Sequence, residues 1–197
     1  MRASHPTLVA AGRAIASQRD AMVSRWSDRL GERITAAKGV SRPLIERQLR
    51  LILDVLIALV GPLRREAKPI WARVSEHYGR VAALRGLAAG EVVEEMQYLR
   101  ELLIRHLAPS LAAMRPRQGM ALLLRLNRLV DGGVAMAVAG YTDALVHSLL
   151  PGTDEDLPPL GNGIDPKRIE QELDKLGEAL GEVTQRQPVV HGAASGA

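Results

Sequence analysis

Five histidines and a short run of glutamates are the side chains in this chain whose types could do chemistry. His77, His106 and His147 each lie on or beside an apolar helical stripe, where an imidazole facing a pocket could ligate a haem iron. None is backed by a second signal. A haem wall needs aromatic and aliphatic side chains around the macrocycle, and this sequence contains no Phe. A satisfied core or boundary histidine is the simpler reading of all three. Glu91, Glu94 and Glu95 are spaced like a cluster of carboxylate ligands, but they open a helix, where negative charge complements the dipole, and are read as terminal charges. Gly161-Asn162-Gly163 lacks the third glycine and the preceding strand of a dinucleotide site, which leaves it as linker. There is no GxSxG, HExxH or GK[ST] run, and no Glu followed three residues later by His. The sequence offers an enzyme no foothold and calls for neither a metal nor a cofactor.

The elements that must position these residues are all helical. No stretch alternates apolar and polar residues long enough for a sheet, and no repeat of 20 to 50 residues is present. A first helix is expected from about Pro6 to Ala37, with Leu8, Ile15, Met22, Trp26, Leu30 and Ile34 inward and Trp26 as a core anchor. The second starts at Ser41 with Pro43 in its first turn and stops at Gly61-Pro62; its Asp54 is read as a solvated face charge. Leu63 to Pro69 reads as a basic connector. Helix three follows from about Ile70 to Arg85, then a glycine hinge at Gly86, then helix four from about Ala88 to Met114. Helix five, about Gln118 to Leu150, is nearly apolar all round in its second half, the pattern of a helix buried centrally or shared between subunits. Its Gly133, Ala137 and Gly140 would let another backbone approach closely, either in a tight crossing within the chain or at a homodimer seam.

Residues 1–150 therefore form one helical domain, 151–164 an acidic Pro/Gly linker, 165–186 a separate amphipathic helix and 187–197 a disordered tail. In that last helix Ile169, Leu173, Leu176, Leu180 and Val183 form a two-heptad seam too short to stand alone. It needs a partner surface, on its own body or on another protein. Residues 1–50 carry ten Lys/Arg against four Asp/Glu, while residues 151–197 carry four against nine, so the ends differ in sign. The arginines are spread along two helices, with two Trp and three Tyr in the whole chain, which argues against nucleic acid as a partner. Zero cysteines, no signal-peptide core and no uninterrupted apolar run of about 20 residues favour a cytoplasmic chain without a membrane span.

Trp26, the segment HYGRVAALRGLAAGEVVEEMQYLRELL from His77 to Leu103, and LNRLVDGGVAMAVAGYTDAL from Leu126 to Leu145 together resemble the RsbRD-type N-terminal domain. The matched positions are Arg80, Gly86, Glu95, Leu99, Arg100, Asp131 and Tyr141, over roughly residues 8 to 150. That family caps RsbR-like co-antagonists of the bacterial stressosome and some sensor histidine kinases. The resemblance implies a globin-like, haem-free helical domain of a stress-response pathway, which dimerises and signals through its C-terminal helix. The family usually continues into a phosphorylatable STAS or kinase module, and here only the linker and heptad helix follow. The expectation is a stand-alone, non-enzymatic regulator acting by protein contact, or else a fragment or divergent relative. The competing reading is a haem or small-molecule sensor with a pocket between helices three, four and five.

Overall fold

The computed structural model describes residues 5–34, 41–149 and 166–185, all but a few of them helical, with no strand among them. The helices are α1 (His5–Ile34), α2 (Arg42–Val60), α3 (Arg64–Leu84), α4 (Ala89–Ala112), α5 (Pro116–Leu149) and α6 (Pro166–Gln185). The chain is an all-α helical bundle of five main helices and a sixth. The linker and tail expected at 151–164 and 187–197 lie outside the described residues.

Local chemistry sets the helix ends. The Ser41 side chain accepts the Leu44 amide and Pro43 occupies the first turn of α2, where its missing N–H costs nothing. Helix α3 ends in a Schellman motif: the Gly86 amide donates to the Ala83 carbonyl and the Leu87 amide to the Ala82 carbonyl. Gly86 sits at φ +76°, where a side chain would be strained, so the expected hinge is a fixed stop. Five residues later, Glu91 accepts the Ala88 amide and helps cap α4.

The expected basic connector is not a connector. Residues Arg64 to Pro69 already form the first turns of α3, with Pro69 inside the helix. A proline this near the start forfeits a single hydrogen bond, and Ala67 extends the buried row that continues through Ile70, Trp71 and Val74. Three cations around one alanine hid that row in the sequence.

Helices α3 and α5 are the central pair, with α1 packed on α2 and α4, α4 on α5, and α6 across α2 and α3. One hydrophobic core runs through all six helices, from Ile15 and Trp26 to Leu173 and Leu180. Helix α5 is long and apolar enough, by length and composition alone, to cross a membrane; in this fold one side of it is packed within the bundle.

Candidate functional site

Three sets of residues carry the functional expectations, and the structure places them on three different contacts. The first is the crossing of α3 with α5. A Cβ on Gly140 would stand 2.2 Å from the Glu76 carbonyl oxygen, and one on Gly79 would stand 1.8 Å from that of Ala137. A Cβ on Gly133 would meet the Trp71 ring at 2.5 Å. The ridge of Gly133, Ala137 and Gly140 is thus spent on an approach of two backbones within one chain. Of the two expected uses of this ridge, the structure shows the crossing within the chain, and none of the three residues is left exposed for a second copy. The first half of α5 carries an exposed Asp131, with Arg100 of α4 as its ion-pair partner.

The second contact is a buried ionic centre that the sequence reading missed. Glu95, taken there for a terminal charge, has a side chain only 3% exposed and receives both terminal nitrogens of Arg85, at 3.0 and 3.3 Å. The Tyr78 hydroxyl donates to the same carboxylate at 2.5 Å. Burial first, and then the charge of Glu95, push the Tyr78 phenol well above its ordinary pKa, so it remains a donor. Trp26 packs against Tyr78 with ring centroids 5.9 Å apart, which ties α1 to this centre. A signal was available: Glu95 lies in the row of Val92, Met96 and Leu99, and an acid in a buried row needs a buried partner. Tyr141 then donates to the Leu87 carbonyl at 2.8 Å and fastens the α3–α4 turn to α5. Six of the seven positions of the family pattern, Gly86, Glu95, Leu99, Arg100, Asp131 and Tyr141, therefore lie where α3, α4 and α5 meet, while Arg80 pairs with Glu172 of α6.

The third contact is the seat of α6. Ile169, Leu173, Leu176 and Leu180 are buried and Val183 is half-buried, so the heptad seam docks on its own body. Polar contacts rim this seam. Arg47 pairs with Asp174, and Glu172 takes Arg80 at 3.3 Å. His77 lies beneath Glu172, 1% exposed: its Nδ1 is 3.0 Å from Gln48 Nε2, and its Nε2 is 3.2 Å from Glu172 without the alignment of a hydrogen bond. Burial lowers the His77 pKa to about 4, although Glu172 pulls the other way and Arg80 adds to the lowering. A neutral imidazole under the one partly covered acid of α6 is the most perturbed titratable group of this contact.

The three histidines do not converge. His77 faces α2 and α6, whereas His106 is half-exposed on α4, 3.3 Å from an Arg25 nitrogen. His147 belongs to α5, but its side chain lies outside the described residues. Between α3, α4 and α5, where a haem or small-molecule pocket was the competing expectation, Trp71 and Met96 pack against Gly133. Asp54 is half-buried rather than simply solvated, and accepts from Arg19 at 2.8 Å.

Residues 20–149 match the family model described as the RsbT co-antagonist protein rsbRD N-terminal domain. No curated protein and no solved structure matches the chain.

Proposed function

Because the chain belongs to the RsbT co-antagonist protein rsbRD N-terminal domain family, a family of regulatory signalling domains of the stressosome type, we propose that it works without catalysis, through protein contacts governed by α6. The observation that carries this reading is the seat of α6. Four buried aliphatic side chains hold the helix, while its outer face presents Glu170, Lys175, Glu178 and Glu182 to solvent. A helix of 20 residues is marginal alone in water, so its docked and released states differ chiefly by this one apolar contact. A partner offering a better groove would therefore shift the balance by its differential affinity.

Leu173→Asp with Leu180→Asp should release α6, seen as faster amide exchange confined to 166–185, and leave the melting of the other five helices nearly unchanged. Proteins co-purifying from the native cell with the wild type and with this variant should then differ. Identical partner sets would reject α6 as the output.

Homodimerisation stays part of the proposal on a different surface of α5. Ala135, Ala139 and Val146 are exposed on one side of that helix, with Thr142 between them. Light scattering of the wild type and of Ala139→Glu should show a dimer and a monomer respectively. A monomeric wild type at micromolar concentration would refute it.

A further inference from the structure

A cleft of about 750 Å³ opens between the end of α2, the start of α3 and the first half of α5, and its lining combines basic and apolar side chains. Arg64, Arg65, Lys68, Arg125 and Arg128 line it, and no Asp or Glu does. None of the five has an acidic partner within ion-pair distance among the described residues. Elsewhere Arg19, Arg42, Arg47, Arg50, Arg100 and Arg105 are paired with carboxylates while Arg13, Arg73, Arg115 and Arg117 are not, so what sets this cleft apart is that five such cations line one site.

Three of these cations also stand at the wrong end of a helix. Arg64, Arg65 and Lys68 occupy the first turns of α3, where the dipole is positive, and Leu63 supplies no side-chain cap to its amides. Glu66, the acid of that turn, is exposed and does not line the cleft. Arg125 is held in place by donating to the Leu59 carbonyl at 2.8 Å. Burial, and then the like charge of Arg64, lower its pKa. Cationic crowding of this kind costs stability unless an anion occupies the cleft.

The rest of the lining has the opposite character. Trp71, mostly buried, forms part of it, with its indole N–H fixed on the Leu129 carbonyl at 3.1 Å. Met120 and Leu124, 55% and 50% exposed, are two of the four large apolar side chains the described surface leaves open. Both line this cleft. A bare inorganic anion would satisfy the cations and leave the apolar lining wet, and a single carboxylate would neutralise little of so much charge.

We propose that this cleft binds a small organic phosphate, its phosphate held by Arg64, Lys68, Arg125 and Arg128 at the start of α3 and its apolar group laid on Trp71, Met120 and Leu124. Planar guanidinium forks and uncapped helix amides are the donors that suit a multiply charged phosphate. The shared chemistry is a phosphate ester beside an apolar moiety, supplied by a free metabolite or by a phospholipid headgroup. The site goes beyond the regulatory reading and stands without it.

The test uses the full chain, with Trp71 as a built-in reporter, and titrates hexyl phosphate, inorganic phosphate and hexanol by calorimetry and tryptophan fluorescence. Hexyl phosphate should bind about tenfold or more tightly than inorganic phosphate, as expected when a few methylenes are buried, and hexanol should not bind measurably. Arg64→Gln with Lys68→Gln should weaken hexyl phosphate by about tenfold, and salt should weaken it in the wild type. Arg73→Gln, on the same helix but outside the cleft, is the charge control and should change little. Co-sedimentation with phosphatidylcholine vesicles containing phosphatidic acid, lost in the double variant, would assign the ligand to a bilayer headgroup. Hexyl phosphate binding without co-sedimentation would assign it to a free ligand. Equal losses in the double variant and in Arg73→Gln would overturn the proposal. So would failure of both phosphate probes, or binding of an acidic peptide in their place.

Discussion

The crossing of α3 with α5 and the seat of α6 are both buried, yet they differ in what excludes water. At the crossing, Gly79 and Gly140 bring main chain onto main chain, with no space for even one added methyl. Nearby, Arg85, Glu95 and Tyr78 satisfy one another out of solvent. Under α6 the contact is made by side chains alone, and its charges, Arg47, Asp174, Arg80 and Glu172, stay at the wet rim. A close-packed crossing has one good arrangement, because any sliding drives atoms into each other. An apolar seam with a polar rim loses less when it opens, since the rim charges regain water. The body is thus built to be rigid and α6 to be separable, and substitutions at the two contacts should fail in different ways.

The largest effect is expected at the ionic centre. Glu95→Ala strands the Arg85 guanidinium in the core and should cost about 3–5 kcal/mol in urea unfolding. Replacing Arg85 and Glu95 together by apolar residues of similar volume should cost much less, because no charge is left behind. Were the single variant as mild as a surface substitution, the body would not be locked in the manner described.

Next comes acid, which acts on the α6 contact. A buried neutral His77, with a pKa near 4 against about 6.5 in the unfolded chain, contributes nothing to pH dependence above about 6.5, where both states are neutral. As pH falls from 6.5 toward 4 the unfolded or opened state takes up the proton first, and stability drops by at most about 3 kcal/mol; below 4 the loss stops growing. Release of α6 would hydrate His77, so amide exchange in 166–185 should accelerate in that window before the body unfolds. His77→Gln should flatten the response. If exchange of α3 and α5 rose in step with α6, the two regions would be one cooperative unit.

Gly140→Ala comes third, at about 1–3 kcal/mol, because its methyl meets backbone that cannot give way. Gly132→Ala is its internal control: eight residues earlier on the exposed side of the same helix, nothing lies within 4 Å of the added methyl, and the gain in helix propensity should stabilise by about 0.5–1 kcal/mol. Thermal melts of the two variants should move in opposite directions. A shared sign would mean that α5 is not seated as described.

The same contrast decides what could be read from the sequence alone. The α6 seam and the all-helical fold were legible because they rest on spacing: residues at steps of three and four must share a face whatever they touch. The Gly/Ala ridge was legible as a close approach but not as to its partner, since small residues permit contact without specifying with what. The Glu95 and His77 centres were missed or undervalued because a polar residue in an apolar row is explained only by its partner, and Arg85, Gln48 and Glu172 come from other elements. The basic cleft was hidden for a related reason. Arg64 to Lys68 and Arg125 to Arg128 are far apart in sequence, and only the packing of α3 on α5 brings them to one cleft.

The smallest effect should come from the most visible charge contact of α6. Arg47 and Asp174 are 47% and 56% exposed, so their attraction is screened by solvent and offset by the entropy of fixing two long side chains. Arg47→Ala should weaken docking by no more than about 1 kcal/mol, and less as salt is raised. Leu173→Ala, which removes a fully buried aliphatic group from the seam, should weaken it by about 2–5 kcal/mol with little dependence on salt. Both are read from the protection of α6 amides at low and high ionic strength. If salt alone released the helix, the charged rim rather than the seam would hold it, and the contact would answer first to ionic conditions instead of to a competing apolar groove.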